Sequence, residues 1–123
     1  GMINGEEIFI NGDGSTSRDF CYIENVIQAN ILAATHTKLK KSEVFNVAVG
    51  DRTSLNELFK LIQNSLKENG ITYKKYPKYR DFREGDVKHS QADISKAKEN
   101  LGFNPQFSIE KGILKSVKWY LEQ

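Results

Sequence analysis

The sequence predicts an α/β domain, a small mixed sheet carrying about four helices, and three observations predict it. A short apolar run, Ile8-Phe9-Ile10, ends in the glycine turn Asn11-Gly12-Asp13-Gly14, as a strand ends. A longer run, residues 44–49, ends at Gly50. Behind it, Ser54-x-x-Glu57 is a capping box, Leu55, Leu58, Phe59, Ile62 and Leu66 trace one stripe, and Gly70 stops the helix. Strand, glycine turn and helix in succession make an α/β unit.

Taken in order, Gly1-Met2 has the form of a protease scar before a start codon, and residues 2–5 read as the last turn of a helix with Gly5 in the left-handed conformation. That reading makes the chain a piece of something longer. A strand is expected at 7–11, then an extended stretch at 18–23 that runs into a helix at 24–35. Ile23, Val26, Ile27 and Ile31 fall at helical spacing, and Ala29, Leu32, Ala33 and Ala34 fill most of the other positions. Such a helix should be covered on more than one side. A polar, lysine-bearing loop follows at 36–42.

The almost unbroken apolar run at 44–49 predicts a central strand, and the capped stretch predicts a helix at 53–69. Residues 72–76 alternate enough for another strand, with Pro77 placing it at an edge or ending it. Asp93 is expected to cap a short helix ending at Leu101, with Gly102 behind it and Phe103 folding back. Ser108 caps the last helix, whose stripe is Ile109, Ile113, Val117 and Leu121, with Trp119 and Tyr120 adding apolar surface.

With 123 residues, 38% hydrophobic content and a formal charge of +2, the chain is bounded to a single domain with a modest core. It has no apolar run of membrane-spanning length and no signal-peptide pattern, so a cytoplasmic location without membrane contact is expected. Cys21 is the only cysteine and reads as a packed thiol, while His36 and His89 are too few and too far apart to suggest a metal site.

Two stretches carry the chemistry of holding an anion. The first is the glycine turn with Arg18-Asp19-Phe20 behind it: Gly12 and Gly14 let backbone pass close to a ligand, and the planar fork of Arg18 suits phosphate or carboxylate oxygens. Asn-Gly and Asp-Gly are also ordinary turn dipeptides, an Arg-Asp neighbour pair is often a surface ion pair worth at most ~1 kcal/mol, and the spacing matches no phosphate-loop pattern. The second is residues 74–88, with six Lys or Arg against Asp81, Glu84 and Asp86. Tyr73, Tyr76, Tyr79 and Phe82 recur there every third residue, which opens a nucleic-acid reading. The run is short, carries three acids and leaves the chain only slightly positive, so no nucleic-acid partner is expected.

Together, residues 11–25 and residues 80–97 resemble the C-terminal, substrate-binding part of extended short-chain dehydrogenase/reductase enzymes acting on nucleotide sugars. Within that family, Tyr79-Arg80-Asp81-Phe82-Arg83-Glu84-Gly85-Asp86-Val87 is most similar to bacterial UDP-N-acetylglucosamine 4-epimerases. The resemblance implies a Rossmann-type parent enzyme, of which residues 1–123 form one nucleotide-sugar-binding domain. It implies that Phe9 and Asn11 lie along the uracil, that Arg18 and Arg83 clamp the diphosphate, and that Asp86 accepts from a ribose hydroxyl. Ser90 falls beside the hexose, and Asp19 holds Arg18 or a backbone turn.

The implied substrates are UDP-GlcNAc and UDP-GalNAc, the implied cofactor is NAD without a metal, and the parent is a homodimeric isomerase of surface-polysaccharide pathways. Its chemistry removes hydride from C4, turns the keto sugar and returns hydride to the other face. A related dehydratase, decarboxylase or reductase would carry the same clamp. The family's Gly-x-x-Gly-x-x-Gly loop and Tyr-x-x-x-Lys pair do not occur here, since Arg80 and Arg83 stand four residues after Tyr76 and Tyr79. No catalytic or NAD-binding residue is therefore expected in this stretch, and the domain alone is expected to be inactive.

Overall fold

A computed structural model of the chain describes residues 1–37, 39 and 41–123. Eight elements follow in the order β1 (Phe9–Asn11), β2 (Ser17–Arg18), α1 (Ile23–Thr35), β3 (Thr53–Ser54), α2 (Leu55–Glu68), β4 (Lys78–Arg80), α3 (Ser95–Leu101) and α4 (Ile109–Leu121). Parallel and antiparallel pairing both occur, in two small two-stranded sheets: β1 and β4 pair in parallel, and β2 and β3 pair antiparallel. This is the α/β class with four helices among the described residues.

The best-capped helix forms as its sequence dictates. Ser54 Oγ accepts from Glu57 N and Glu57 Oε2 accepts from Ser54 N, so two of the orphan donors at the start of α2 are satisfied reciprocally. Phe59 and Leu66 on its stripe are buried with Met2, Ile10, Tyr73 and Val117, and Ile62 and Ile113 pack against them. That core lies between α2, α4 and β1. A second core joins α1 to α3 through Ala29, Ala48, Ile94, Ala97, Leu101 and Phe103. At the end of α3 Gly102 takes φ 67°, and Phe103, 1% exposed, folds back so that its N–H reaches Ala97 O.

Polar pins tie the two cores together. Asn25 on α1, almost fully buried, donates to Phe107 O at 2.8 Å and accepts from Gln106 N and Phe107 N at 2.9 and 3.0 Å. Gly5, at φ 68°, closes the expected turn by donating to Met2 O.

Four expectations need correction. Residues 44–49 form no strand: among the described residues nothing pairs with them, Val44 is 82% exposed, and the N–H groups of Val49 and Gly50 go to the Asp19 carboxylate. Phe45, Val47 and Ala48 are held by packing on the α3 side instead. The strand expected at 72–76 lies after Pro77, at 78–80, because its parallel partner is the short β1 and the register sets Phe9 opposite Lys78. Ahead of it, side chains do the bonding: Gln63 donates to Tyr73 O and Tyr73 OH donates to Glu6 O.

The N-cap of α3 is Ile94, and Asp93 sits one residue earlier, accepting from Ser95 N at 2.9 Å. Finally, α1 buries Asn25 and Ala29 while Ile23, Ile27 and Ile31 stay 57%, 48% and 57% exposed, so its isoleucine stripe is uncovered in this chain. The lysine-bearing loop expected at 36–42 includes positions 38 and 40, which lie outside the described residues.

Candidate functional site

Packing of one side against the core gives β1 an inner and an outer face. Ile10 is buried, while Phe9 and Asn11 share the exposed face, as alternation along a strand requires. Gly12 then donates to Arg80 O at 2.8 Å, extending the β1–β4 ladder into the turn. Both turn glycines stand at φ 77°, and each is also crowded: a Cβ at Gly12 would run into the Phe82 ring, and one at Gly14 into the Asn56 side chain. The sequence suggested that these glycines admit a ligand. In the structure the close neighbours are Phe82 and Asn56.

Asn56, in the first turn of α2, locks that turn. Its N–H donates to Gly14 O, its Nδ2 to Asp13 O, and its Oδ1 accepts from Tyr79 OH at 2.9 Å. Asp13 in turn accepts from Ser15 N and Ser15 Oγ, and those two bonds hold its carboxyl below the usual carboxylate range. The loop is thus built by its own side chains before any ligand is considered.

Downstream, β2 lies between β3 and residues 88–90. Ser17 N donates to Lys88 O at 2.9 Å, Ser90 N donates to Ser17 O at 3.1 Å, and Ser17 Oγ shares a hydrogen bond with His89 Nδ1 at 2.9 Å. This alignment brings Arg18 against Asp86, whose Oδ1 accepts from Nη2 at 2.5 Å, while Nη1 donates to Ser17 O at 2.8 Å. Asp19 points the other way and accepts from Val49 N and Gly50 N, each at 3.0 Å, so it holds a backbone turn. Arg83 opens the tight turn in which Asp86 N donates to Arg83 O, and Arg83 itself is exposed.

The structure therefore collects Arg18, Asp86 and Ser90 along one seam, sets Phe9 and Asn11 on β1 in the other two-stranded sheet, and puts Arg83 on the turn that carries Asp86. All six lie on open surface, Arg18 being half-buried and the rest exposed. A cavity of about 370 Å³ between β3, α2 and the start of α4, bordered by Arg52, Lys60 and Glu110, contains none of them. Cys21 is partly buried, and that burial pushes its thiol up, away from nucleophilic chemistry. No helix among the described residues is long and apolar enough to cross a membrane.

Sequence reasoning missed Arg80, whose guanidinium lies over the Phe9 ring with Cζ 3.5 Å from the centroid. The signal was two-residue periodicity: a strand at 78–80 puts residue 80 on the Phe9 face, and placing that strand at 72–76 hid it. The Ser17–His89 pair, 72 residues apart, has no local signal at all.

Comparison with known proteins is consistent along the whole length. A family model described as GDP-mannose 4,6 dehydratase matches residues 2–116. The UDP-glucose 4-epimerase of Thermotoga maritima, solved with UDP-glucose, is 40% identical with a TM-score of 0.87, covering 98% of this chain and 37% of that one. The UDP-N-acetylglucosamine 4-epimerase of Methanobrevibacter ruminantium, solved with UDP-N-acetylmuramic acid, is also 40% identical, with a TM-score of 0.82, covering 99% of this chain and 37% of that one. A UDP-glucuronic acid 4-epimerase variant of Bacillus cereus, solved with a UDP-sugar and NAD, is 26% identical with a TM-score of 0.84, covering 98% of this chain and 37% of that one. The chain spans 35% and 33% of the length of two curated relatives it matches. On this evidence the chain belongs to the short-chain dehydrogenase/reductase family of nucleotide-sugar epimerases and dehydratases.

Proposed function

We propose that this chain is the UDP-sugar-binding portion of a longer NAD-dependent 4-epimerase acting on UDP-N-acetylglucosamine. The observation that supports the reading is the seam of β2 with residues 86–90, which bonds Arg18 to Asp86 and pairs Ser90 with Ser17, while Phe9 and Asn11 share the exposed face of β1. Arg18 and Arg83 take the diphosphate through charge-assisted hydrogen bonds, each worth about 1.5–3 kcal/mol. Asp86 exchanges its contact with Arg18 for a ribose hydroxyl, and the small Ser90 leaves room for an acetamido group on the hexose.

NAD does not fit the residues of this chain. The glycine turn is filled by Phe82 and Asn56 and leaves no cradle for a pyrophosphate, and no Tyr-x-x-x-Lys pair is present. The cofactor and the proton-transfer residues then belong to a further domain of the complete enzyme. The uncovered isoleucines of α1 supply an apolar face for such a domain.

The family model's own description favours a second reading, a sugar 4,6-dehydratase using the same clamp. Incubating the complete enzyme with UDP-GlcNAc separates the two. UDP-GalNAc as product supports the epimerase, whereas loss of water to a 4-keto-6-deoxy sugar supports the dehydratase and rejects our assignment. Ser90→Tyr should lower kcat/KM for UDP-GlcNAc relative to UDP-glucose by about tenfold or more through overpacking. An unchanged ratio would remove Ser90 from the sugar pocket.

A further inference from the structure

β4 pairs in parallel with β1, setting Lys78 opposite Phe9 and Arg80 opposite Asn11. Paired positions share a face of the sheet, so these four side chains project to the same side. Lys78 is occupied by an ion pair with Glu7. Arg80 instead lays its guanidinium on the Phe9 ring, 3.5 Å from the centroid, which is contact distance for stacked groups. No carboxylate among the described residues lies within ion-pair distance of it. One flat face of the guanidinium is thus held by an aromatic ring while its charge is left uncompensated.

That arrangement changes what a base would meet. A uracil approaching this edge finds the Phe9 ring already covered by a planar, weakly hydrated cation that stacks on π systems. Resting on the nucleotide-sugar reading above, we propose that Arg80 is the stacking surface for the nucleobase. Phe9 is the floor beneath it, holding the guanidinium in place, and Asn11, paired with Arg80 across the ladder, stands at the edge of the stack. A lysine at position 80 would keep the charge and lose the plane.

The test is UDP affinity, measured by competition against UDP-sugar turnover in the complete enzyme carrying Arg80→Ala, Arg80→Lys or Phe9→Leu, with Arg18→Ala as reference. Stacking on the guanidinium predicts that Arg80→Ala and Arg80→Lys each weaken UDP by about tenfold or more, with the loss larger in KM than in kcat, and that Phe9→Leu weakens it less. If Arg80→Lys binds UDP as well as wild type, Arg80 acts as a charge toward phosphate and the proposal is overturned. Tighter UDP binding by Arg80→Ala also overturns it, because the guanidinium then competes with the base for Phe9. Loss with Arg18→Ala but none with either Arg80 variant rejects this inference alone. No loss with any of the three arginine variants rejects the nucleotide site itself.

Discussion

Single residues join the two cores, and they are where the fold is most vulnerable. Asn25 uses both ends of its carboxamide on the backbone of Gln106 and Phe107, so Asn25→Ala would strand one carbonyl and two amides that are partly buried. An orphaned buried group costs about 1–3 kcal/mol, and we expect a total loss of about 3 kcal/mol or more in urea unfolding. A loss below about 1 kcal/mol would show that this link is dispensable. Asp19→Asn should cost about 2 kcal/mol, since an amide nitrogen would face at least one of the three backbone N–H groups, of Val49, Gly50 and Ala92, from which the carboxylate now accepts. The sequence pointed to Asp19 as the holder of Arg18 or of a turn. The turn is what it holds, because β2 delivers Arg18 to Asp86, 68 residues on, and no local pattern announces a partner that distant.

Elements were legible where the signal is local. The capping box of α2, the left-handed glycine and folded-back Phe103 at the end of α3, and the Ser108 cap of α4 all depend on residues within a turn of each other, and all are present. Strands depend on partners: the apolar run at 44–49 has none among the described residues, and β4 sits where β1 can reach it. The glycine turn was legible as a turn, but its purpose was not, because Phe82 and Asn56 arrive from distant elements. Gly14→Ala would combine a left-handed backbone with a collision at Asn56, so it should destabilise the domain by about 2 kcal/mol or more. A wild-type melting temperature for that variant would show that the turn yields freely.

The α2 cap also predicts an acid response. Bonds from Ser54 N and Ser54 Oγ hold the Glu57 carboxyl below the usual glutamate range. A depressed carboxyl gives its stabilisation in full above the unfolded value and loses it as pH falls through the folded one, so the contribution fades below about pH 4.3. Glu57→Gln should therefore flatten part of the decline in melting temperature on acidification. Parallel curves for variant and wild type would mean that the ionised cap contributes nothing.

For the molecule as a whole, the proposed site is an open face and not an enclosed pocket, and α1 presents an uncovered isoleucine stripe. Both features fit a chain that supplies one wall of a cleft. The isolated chain should show no turnover even with added NAD and should bind UDP weakly, because on our reading the open face needs a second wall from a further domain. Turnover by the purified chain would contradict that. The central claim, that Arg18 and Arg83 hold a diphosphate, is tested most directly by alanine substitution in the complete enzyme with UDP-sugar kcat/KM as the readout. Lys74, Lys75 and Lys78 serve as controls: Lys75 Nζ donates to Gly5 O and Lys78 pairs with Glu7, so the latter two are engaged elsewhere. We predict a loss of about 2 kcal/mol in transition-state binding for Arg18→Ala and for Arg83→Ala, and little change for the lysine variants. Equal losses at the lysines and at Arg83 would contradict the clamp and leave a diffuse basic surface in its place.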